Sequence, residues 1–226
     1  IRPFAMGLSR NERMTNDKLA MVVLLLATVT FDGFSATPAW VDFQSYVVDV
    51  FSGVVDYQAF NSLTVADTLG VLLFPVAFFV VYLAFSYFMS GSAGHNLGVL
   101  DLARVFAYSL IPIAVAYNIA HFITLLLVQG QLIIPLASDP FGYDWNLLGT
   151  VDYRVDISVI NARVLWFLSV AVIVVGHILA VYLAHLVSIR TFKDRVLARN
   201  SQYPMLALMV MYTVVSLWII AQPIVA

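Results

Sequence analysis

Residues 163–190 read RVLWFLSVAVIVVGHILAVYLAHLVSIR. The apolar run between the two arginines is long enough to cross a bilayer as a helix, because about 20 residues at 1.5 Å each span a hydrocarbon core of roughly 30 Å. Gly176, Ala180 and Ala184 recur at every fourth position. Small residues at this spacing let a second helix approach closely within a membrane. The stretch therefore predicts a membrane span that packs against other spans.

The composition of the whole chain is also that of a membrane protein. Of its 226 residues, 62% are hydrophobic and 11% are charged, whereas soluble domains average roughly 45–50% apolar and 25% charged residues. The formal net charge of -2 provides no basic surface for phosphates, so no nucleic-acid partner is predicted. The chain has no cysteine, which excludes disulfides, thiolate metal sites and cysteine nucleophiles.

Four further apolar stretches predict four more spans, and the expected fold is an all-α, polytopic transmembrane helix bundle that forms a single domain over residues 1–226. The five spans are predicted at about 18–37, 65–90, 104–131, 163–190 and 204–222. Two segments, 41–62 and 138–162, are predicted to lie outside the membrane. In the first of them three carboxylates recur every seventh residue: Asp42, Asp49 and Asp56. This spacing is typical of an amphipathic interfacial helix, and an ordinary acidic loop is the alternative.

The basic residues predict how the bundle is oriented. With five spans, only Arg154 and Arg163 fall on one side. The other side carries Arg2, Arg10, Arg13, Lys18, Arg104, Arg190, Lys193, Arg195 and Arg199. Because cytoplasmic loops carry the excess of lysine and arginine, the N-terminus is predicted to be cytoplasmic and the C-terminus outside. Three tryptophans lie near the predicted outer boundaries, as interfacial anchors do: Trp40, Trp145 and Trp166.

Three ionisable side chains are predicted to lie at a similar depth in the bundle. Asp32, His121 and His177 come out at about 20–25 Å above the basic residue that flanks each span, at 1.5 Å per residue. Tyr117 and Asn118 are about one helical turn before His121 and share its depth. Ionisable groups inside a membrane are costly and usually face the protein interior or a cavity. The sequence therefore predicts one buried polar layer.

Several chemistries are open to such a layer. His121, His177 and Asp32 are suitable ligands for a transition metal, with Asn118 and Tyr117 supporting them through hydrogen bonds. Alternatively, His121 and His177 could bind one haem iron from opposite sides. A transporter or a proton or ion pathway would use the same layer for exchange. The structural alternative is that each histidine hydrogen-bonds a neighbour and locks the helices together.

Three segments resemble a family of bacterial polytopic membrane proteins. They are YSLIPIAVAYNIAH at 108–121, QGQLIIPLASDPFG at 129–142 and GHILAVYLAH at 176–185, and the region around Phe31 matches more loosely. Members of this family are similar to the B subunit of a membrane-bound fenitrothion hydrolase, an organophosphate-cleaving activity. The resemblance implies a partner subunit and a bacterial cytoplasmic (inner) membrane. It also implies a longer polypeptide, because the family's members extend further at the N-terminus.

The predicted function is therefore that of an integral membrane subunit of a multi-subunit complex, whose polar layer binds a transition metal or haem. A transporter or proton-pathway protein is the alternative, and a membrane-bound hydrolase subunit is implied by the resemblance alone. No catalytic residue is predicted, because the chain contains neither a Gly-x-Ser-x-Gly elbow nor an HExxH motif. The expected partners are the lipid bilayer and other membrane protein subunits.

Overall fold

The computed structural model describes residues 14–52, 62–94 and 97–222. Within these ranges the chain forms helices joined by turns and loops, without a β-strand. The helices are α1 (Asn16–Ser35), α2 (Pro38–Ser52), α3 (Ser62–Ser92), α4 (Val99–Val128), α5 (Ile133–Ser138), α6 (Ala162–Thr191) and α7 (Arg195–Ala221), and a turn of 3-10 helix, Gln129–Leu132, joins α4 to α5.

Five helical stretches in the described part of the chain are long and apolar enough to cross a membrane. They are α1, most of α3, α4 together with α5, α6 and α7. The predicted all-α bundle with five spans is thereby confirmed. The third stretch is longer than predicted, because it runs for 40 residues from Val99 to Ser138. A continuous helix of that length would measure about 60 Å, or twice the hydrocarbon core, so its ends extend beyond the core.

Helix α4 lies at the centre of the bundle and packs against α1, α3 and α6. One of its faces carries Leu102, Phe106, Leu110 and Ile113, which recur at intervals of three or four residues and are each at most 1% exposed. Tyr82 of α3 is also buried there. Its hydroxyl donates a hydrogen bond of 2.7 Å to the backbone carbonyl of Ala103, which satisfies the polar end of an otherwise apolar contact.

Small residues bring α6 against α4, as the spacing in the sequence predicts. A Cβ atom placed on Gly176 would lie 2.3 Å from the Cβ of Ala116 and 2.9 Å from the carbonyl oxygen of Pro112. Ala180 and Ala184 continue the same side of α6 and are almost completely buried. The two backbones therefore approach too closely at Gly176 for any larger residue to fit without a shift.

The segment predicted outside the membrane at 41–62 begins as a helix, since α2 covers Pro38–Ser52. Asp56 lies outside the described residues. Trp40, predicted as an interfacial anchor, is instead packed inside the protein and is only 5% exposed. Its indole Nε1 donates to the Asp67 carboxylate on α3 at 3.0 Å. Asp67, itself exposed, thus provides the acceptor that an interfacial tryptophan would find in the headgroup region.

Candidate functional site

Asp32 of α1 and His121 of α4 are in direct contact, with 2.6 Å between Oδ2 and Nε2. They meet because α1 and α4 are also joined near their N-termini, where Arg104 Nε donates to Asn16 Oδ1 at 2.7 Å. Asp32 follows Asn16 by about as many residues as His121 follows Arg104, so parallel helices of equal rise bring the second pair together. The side chains of Asp32 and His121 are 61% and 25% exposed.

The Asp32 carboxylate fixes the imidazole of His121. An ionised carboxylate only accepts hydrogen bonds, so Nε2 carries a proton and donates, and in the neutral ring Nδ1 keeps its lone pair. In the part of the chain that the structure describes, Nδ1 has no hydrogen-bond partner. The same arrangement of carboxylate and imidazole orients histidines that bind metals or move protons.

The hydroxyl of Tyr117 lies beside this pair. Tyr117 is 1% exposed, and its Oη has no hydrogen-bond partner among the described residues. The position that a Cβ on Gly33 would occupy is 3.2 Å from Tyr117 Oη and 3.7 Å from His121 Cε1. The nearest atom to that position is Ile219 Cγ2, at 3.0 Å. Gly33 therefore lets Ile219, the phenol and the imidazole pack close to the backbone of α1, where a larger residue would push them away.

His177 is buried in the middle of α6, with 7% of its surface exposed. Its Nδ1 lies 2.8 Å from the backbone carbonyl oxygen of Ile173. Since a carbonyl oxygen only accepts, Nδ1 carries the proton and Nε2 has the lone pair in the neutral ring. Nε2 is buried and has no partner in the described part of the protein. The lone pair of His177 is thus available to a donor or an acid that reaches the bundle interior.

The structure places His177 at a different depth from His121. Gly176 packs on Pro112 and Ala116 of α4, which precede His121 by nine and five residues. At 1.5 Å per residue, this register puts His177 about 8–14 Å from the level of His121. The single polar layer expected from the sequence is therefore divided into an Asp32–His121 pair and a separate buried histidine.

The predicted and observed depths of His177 differ because the prediction counts residues from the basic residue that flanks each span. The sequence estimate placed Arg104 and Arg190 at one height. In the antiparallel α4–α6 pair, the contact at Gly176 puts Arg104 level with residues 184–188, several positions before Arg190. The estimate was accurate for α1 and α4, because Arg104 really contacts the start of α1. Flanking charges do not fix the relative heights of helices whose lengths differ.

Asn118, which was also predicted to belong to the site, makes its hydrogen bond within its own helix. Asn118 donates from Nδ2 to the carbonyl oxygen of Ala114 at 2.9 Å, within its own helix. Over the described ranges, no group of three or more His, Cys, Asp or Glu side chains is arranged to hold a metal ion. Asp32 contacts His121 as a hydrogen-bond partner. A haem between His121 and His177 stays a prediction.

A further imidazole lies nearer the end of α6. His185 Nδ1 is 2.8 Å from the amide oxygen of Gln202 on α7, and the Gln202 Nε2 donates to the Ala198 carbonyl at 2.8 Å. Because the amide nitrogen of Gln202 already donates to Ala198, its amide oxygen accepts the hydrogen bond from His185. Nδ1 of His185 is therefore the donor. His121, His177 and His185 therefore lie at three successive depths of the bundle.

The segment 138–162 is a hydrogen-bonded loop. The Asp139 carboxylate accepts from the backbone N–H groups of Tyr143 and Asp144, each at 2.9 Å. Asp156 accepts from the hydroxyl and the N–H of Ser158 at 2.6 and 2.8 Å. The two hydrogen bonds from Ser158, hydroxyl first, hold the pKa of Asp156 below its ordinary value. These carboxylates serve the turns of the loop.

No protein-family model, no curated protein and no solved structure matches this chain. Its class is defined by the fold and the described side chains. It is a multi-pass α-helical membrane protein with an Asp–His contact between its first and third spans.

Proposed function

We propose that this chain is an integral membrane subunit that takes up and releases protons at the Asp32–His121 pair. The observation that carries the proposal is the 2.6 Å contact between Nε2 and Oδ2, which holds the imidazole while leaving Nδ1 unpartnered among the described residues. Imidazole is the side chain whose charge changes most readily near neutral pH. With Nε2 held by the carboxylate, Nδ1 is the ring nitrogen left to exchange a proton with a further group.

In this proposal, water molecules relay protons between the histidines of the bundle, because the steps between these side chains are longer than a hydrogen bond. Tyr117 adjoins His121 on the inner side of the pair. His177 follows in the middle of α6 with a buried Nε2 that has no described partner, and His185 lies about 12 Å further along the helix at 1.5 Å per residue. In a membrane interior such groups are costly to maintain, and they mark ion and proton routes in many membrane proteins.

The test is proton flux in proteoliposomes that contain a pH-sensitive dye, with valinomycin and potassium on both sides of the bilayer to balance the charge that the protons carry. The wild-type protein should dissipate an imposed pH gradient. Asp32→Asn and His121→Gln should each reduce the rate by at least about tenfold, since a positioned proton-transfer group contributes roughly 10²–10⁴-fold to the steps it serves.

The matched control is Asp42→Asn, which removes an exposed carboxylate of α2 without touching the pair. It should leave the flux unchanged. If the wild-type protein conducts no more protons than empty liposomes at any pH, or if Asp32→Asn and His121→Gln conduct as well as wild type, the pair is a helix-to-helix lock and the proposal is wrong.

A second candidate is metal or haem binding, which the geometry of His121 itself favours. Histidine ligands commonly donate one ring nitrogen to a carboxylate while the other binds the metal. Here His121 would be the ligand and Asp32 its orienting partner, and further ligands would come from outside the described residues. Metal analysis and an optical spectrum of the purified protein test this candidate. Stoichiometric metal or a Soret band that is lost in His121→Ala would favour it over proton transfer.

Membership of a larger complex is part of the same proposal. Asp32 is 61% exposed although it lies in a span, and a companion protein would shield it from lipid. The resemblance to the hydrolase B subunit suggests such a companion in a bacterial cytoplasmic membrane. A photo-crosslinking residue at position 32 should form an adduct with another polypeptide in native membranes. Adducts with lipid alone would show that Asp32 faces the headgroup region.

A further inference from the structure

A groove of about 540 Å³ runs between the C-terminal end of α3 and the N-terminal end of α7. The two helices are antiparallel neighbours, so the residues that line the groove pair off along its length. Ser92 and Asn200 lie at one end, and Phe85 and Ala207 lie about 10 Å further along, at 1.5 Å per residue. The groove is separate from the Asp32–His121 pair.

The lining changes from polar to apolar along the groove. The end nearest the helix termini is lined by the polar residues Ser92 and Asn200, and the other end by Phe85, Pro204 and Ala207. Between them, Phe88 and Tyr203 are 56% and 59% exposed and form the walls. This gradient matches a molecule with a polar head and a hydrocarbon tail, oriented as the lipids of one leaflet are.

Two arginines continue the polar end. Arg195 and Arg199 precede Tyr203 at intervals of four residues, so the three side chains follow one side of α7. Both arginines are exposed, and neither has an ion pair among the described residues. The nearby Asp194 carboxylate caps α7 by accepting from the Val196 N–H at 2.7 Å. Positive charge therefore collects where the head of a bound lipid would lie.

We propose that this groove binds an anionic phospholipid, with the phosphate near Arg199 and Asn200 and an acyl chain along Phe88 and Ala207. Basic pockets between spans are typical sites for anionic headgroups, because a guanidinium pairs with phosphate oxygens through two hydrogen bonds. A zwitterionic lipid fills the apolar end equally well but lacks the net charge that the arginines attract. The groove should accordingly prefer phosphatidylglycerol to phosphatidylcholine.

The experiment compares spin-labelled phosphatidylglycerol and phosphatidylcholine bound to the full chain in bilayers, by the immobilised component of the electron paramagnetic resonance spectrum. The wild-type protein should retain phosphatidylglycerol preferentially. Arg195→Gln with Arg199→Gln should lower the preference by about fivefold per arginine lost. Ala207→Phe should fill the apolar end and reduce the immobilised fraction of both lipids.

Two controls separate the groove from general electrostatics and from misfolding. Arg163→Gln removes an exposed arginine in the first turn of α6, at the end of the bundle far from the groove. This variant should leave the preference for phosphatidylglycerol intact. The double variant Arg195→Lys with Arg199→Lys keeps both positive charges. It should retain most of the preference for phosphatidylglycerol. The proposal fails if the double glutamine variant, monodisperse and as helical as wild type, keeps the wild-type preference. It also fails if Arg163→Gln lowers the preference equally.

Discussion

At the scale of single residues, the Asp32–His121 contact decides which ring nitrogen carries the proton. His121 and His185 make an informative comparison, because each has one ring nitrogen engaged by a different acceptor. The carboxylate of Asp32 engages Nε2 of His121, and the amide oxygen of Gln202 engages Nδ1 of His185. The two imidazoles should therefore hold opposite neutral tautomers in one molecule.

The first prediction concerns these tautomers. At a pH where the rings are neutral, ¹⁵N chemical shifts should show the Nε2–H form for His121 and the Nδ1–H form for His185. Asp32→Asn should convert His121 to a mixture of forms, because an amide can both donate and accept. His185 serves as the internal control and should not change. A single unaltered tautomer of His121 in the variant would mean that Asp32 does not set it.

The second prediction concerns Asp156, in the loop outside the spans. Its pKa is lowered by hydrogen bonds from Ser158, so the loop contacts that need the carboxylate should persist as the pH falls below the ordinary range of aspartate. They should be lost only as the pH drops through the lowered value. Ser158→Ala removes the hydroxyl donor and should raise the pKa toward the ordinary value. An NMR titration of the Asp156 carboxyl carbon measures its pKa in the wild-type protein and in Ser158→Ala. Identical titrations would show that Ser158 does not lower the pKa of Asp156.

At the scale of helices, the α4–α6 contact depends on Gly176. Its missing side chain allows the Pro112 carbonyl and Ala116 to approach the backbone of α6. Lipid provides no hydrophobic drive between helices, so close packing of this kind is a main source of their association. The same contact sets the register that separates His177 from His121.

The third prediction is that Gly176→Ala destabilises the bundle. Its added Cβ would meet Ala116 at 2.3 Å, and relieving such overpacking costs about 1–3 kcal/mol. Gly130→Ala is the matched control, because a Cβ there has nothing within 4 Å. Reversible unfolding in mixed micelles measures the free energy of unfolding of each variant. Equal stabilities for the two variants would show that α4 and α6 separate at little cost.

At the scale of the whole molecule, five spans predict that α1 begins and α7 ends on opposite sides of the membrane. The fourth prediction uses the absence of native cysteine, which gives single-cysteine labelling a clean background. Ser158→Cys should react with an impermeant maleimide in intact cells, and Lys193→Cys should react only after permeabilisation, as the distribution of basic residues requires. The reverse pattern would invert the orientation, and labelling of both from outside would change the span count.

Much of the fold could be predicted from the sequence, because spans are recognised by length and apolarity alone. The candidate site could be predicted only in part. The common depth of Asp32 and His121 is predictable because α1 and α4 start together at the Asn16–Arg104 contact, so equal counts of residues lead to equal depths. A metal or haem site at these residues stays a prediction. His177 was misplaced, since no local signal gives the height of α6 against α4. The burial of Trp40 against Asp67 was likewise invisible to composition.

The sequence by itself determined that this protein is a bundle of five apolar helices and which few ionisable residues occur along them; it did not show that Asp32 is 61% exposed. These properties follow from the cost of exposing backbone and charge to hydrocarbon, which acts on each span separately. Only the tertiary structure decided that Asp32 meets His121, that His177 bonds the Ile173 carbonyl and no other described group, and that a groove opens near Arg199. Such features depend on the register and direction of pairs of helices, and these are set by close contacts such as that at Gly176 between residues far apart in the chain.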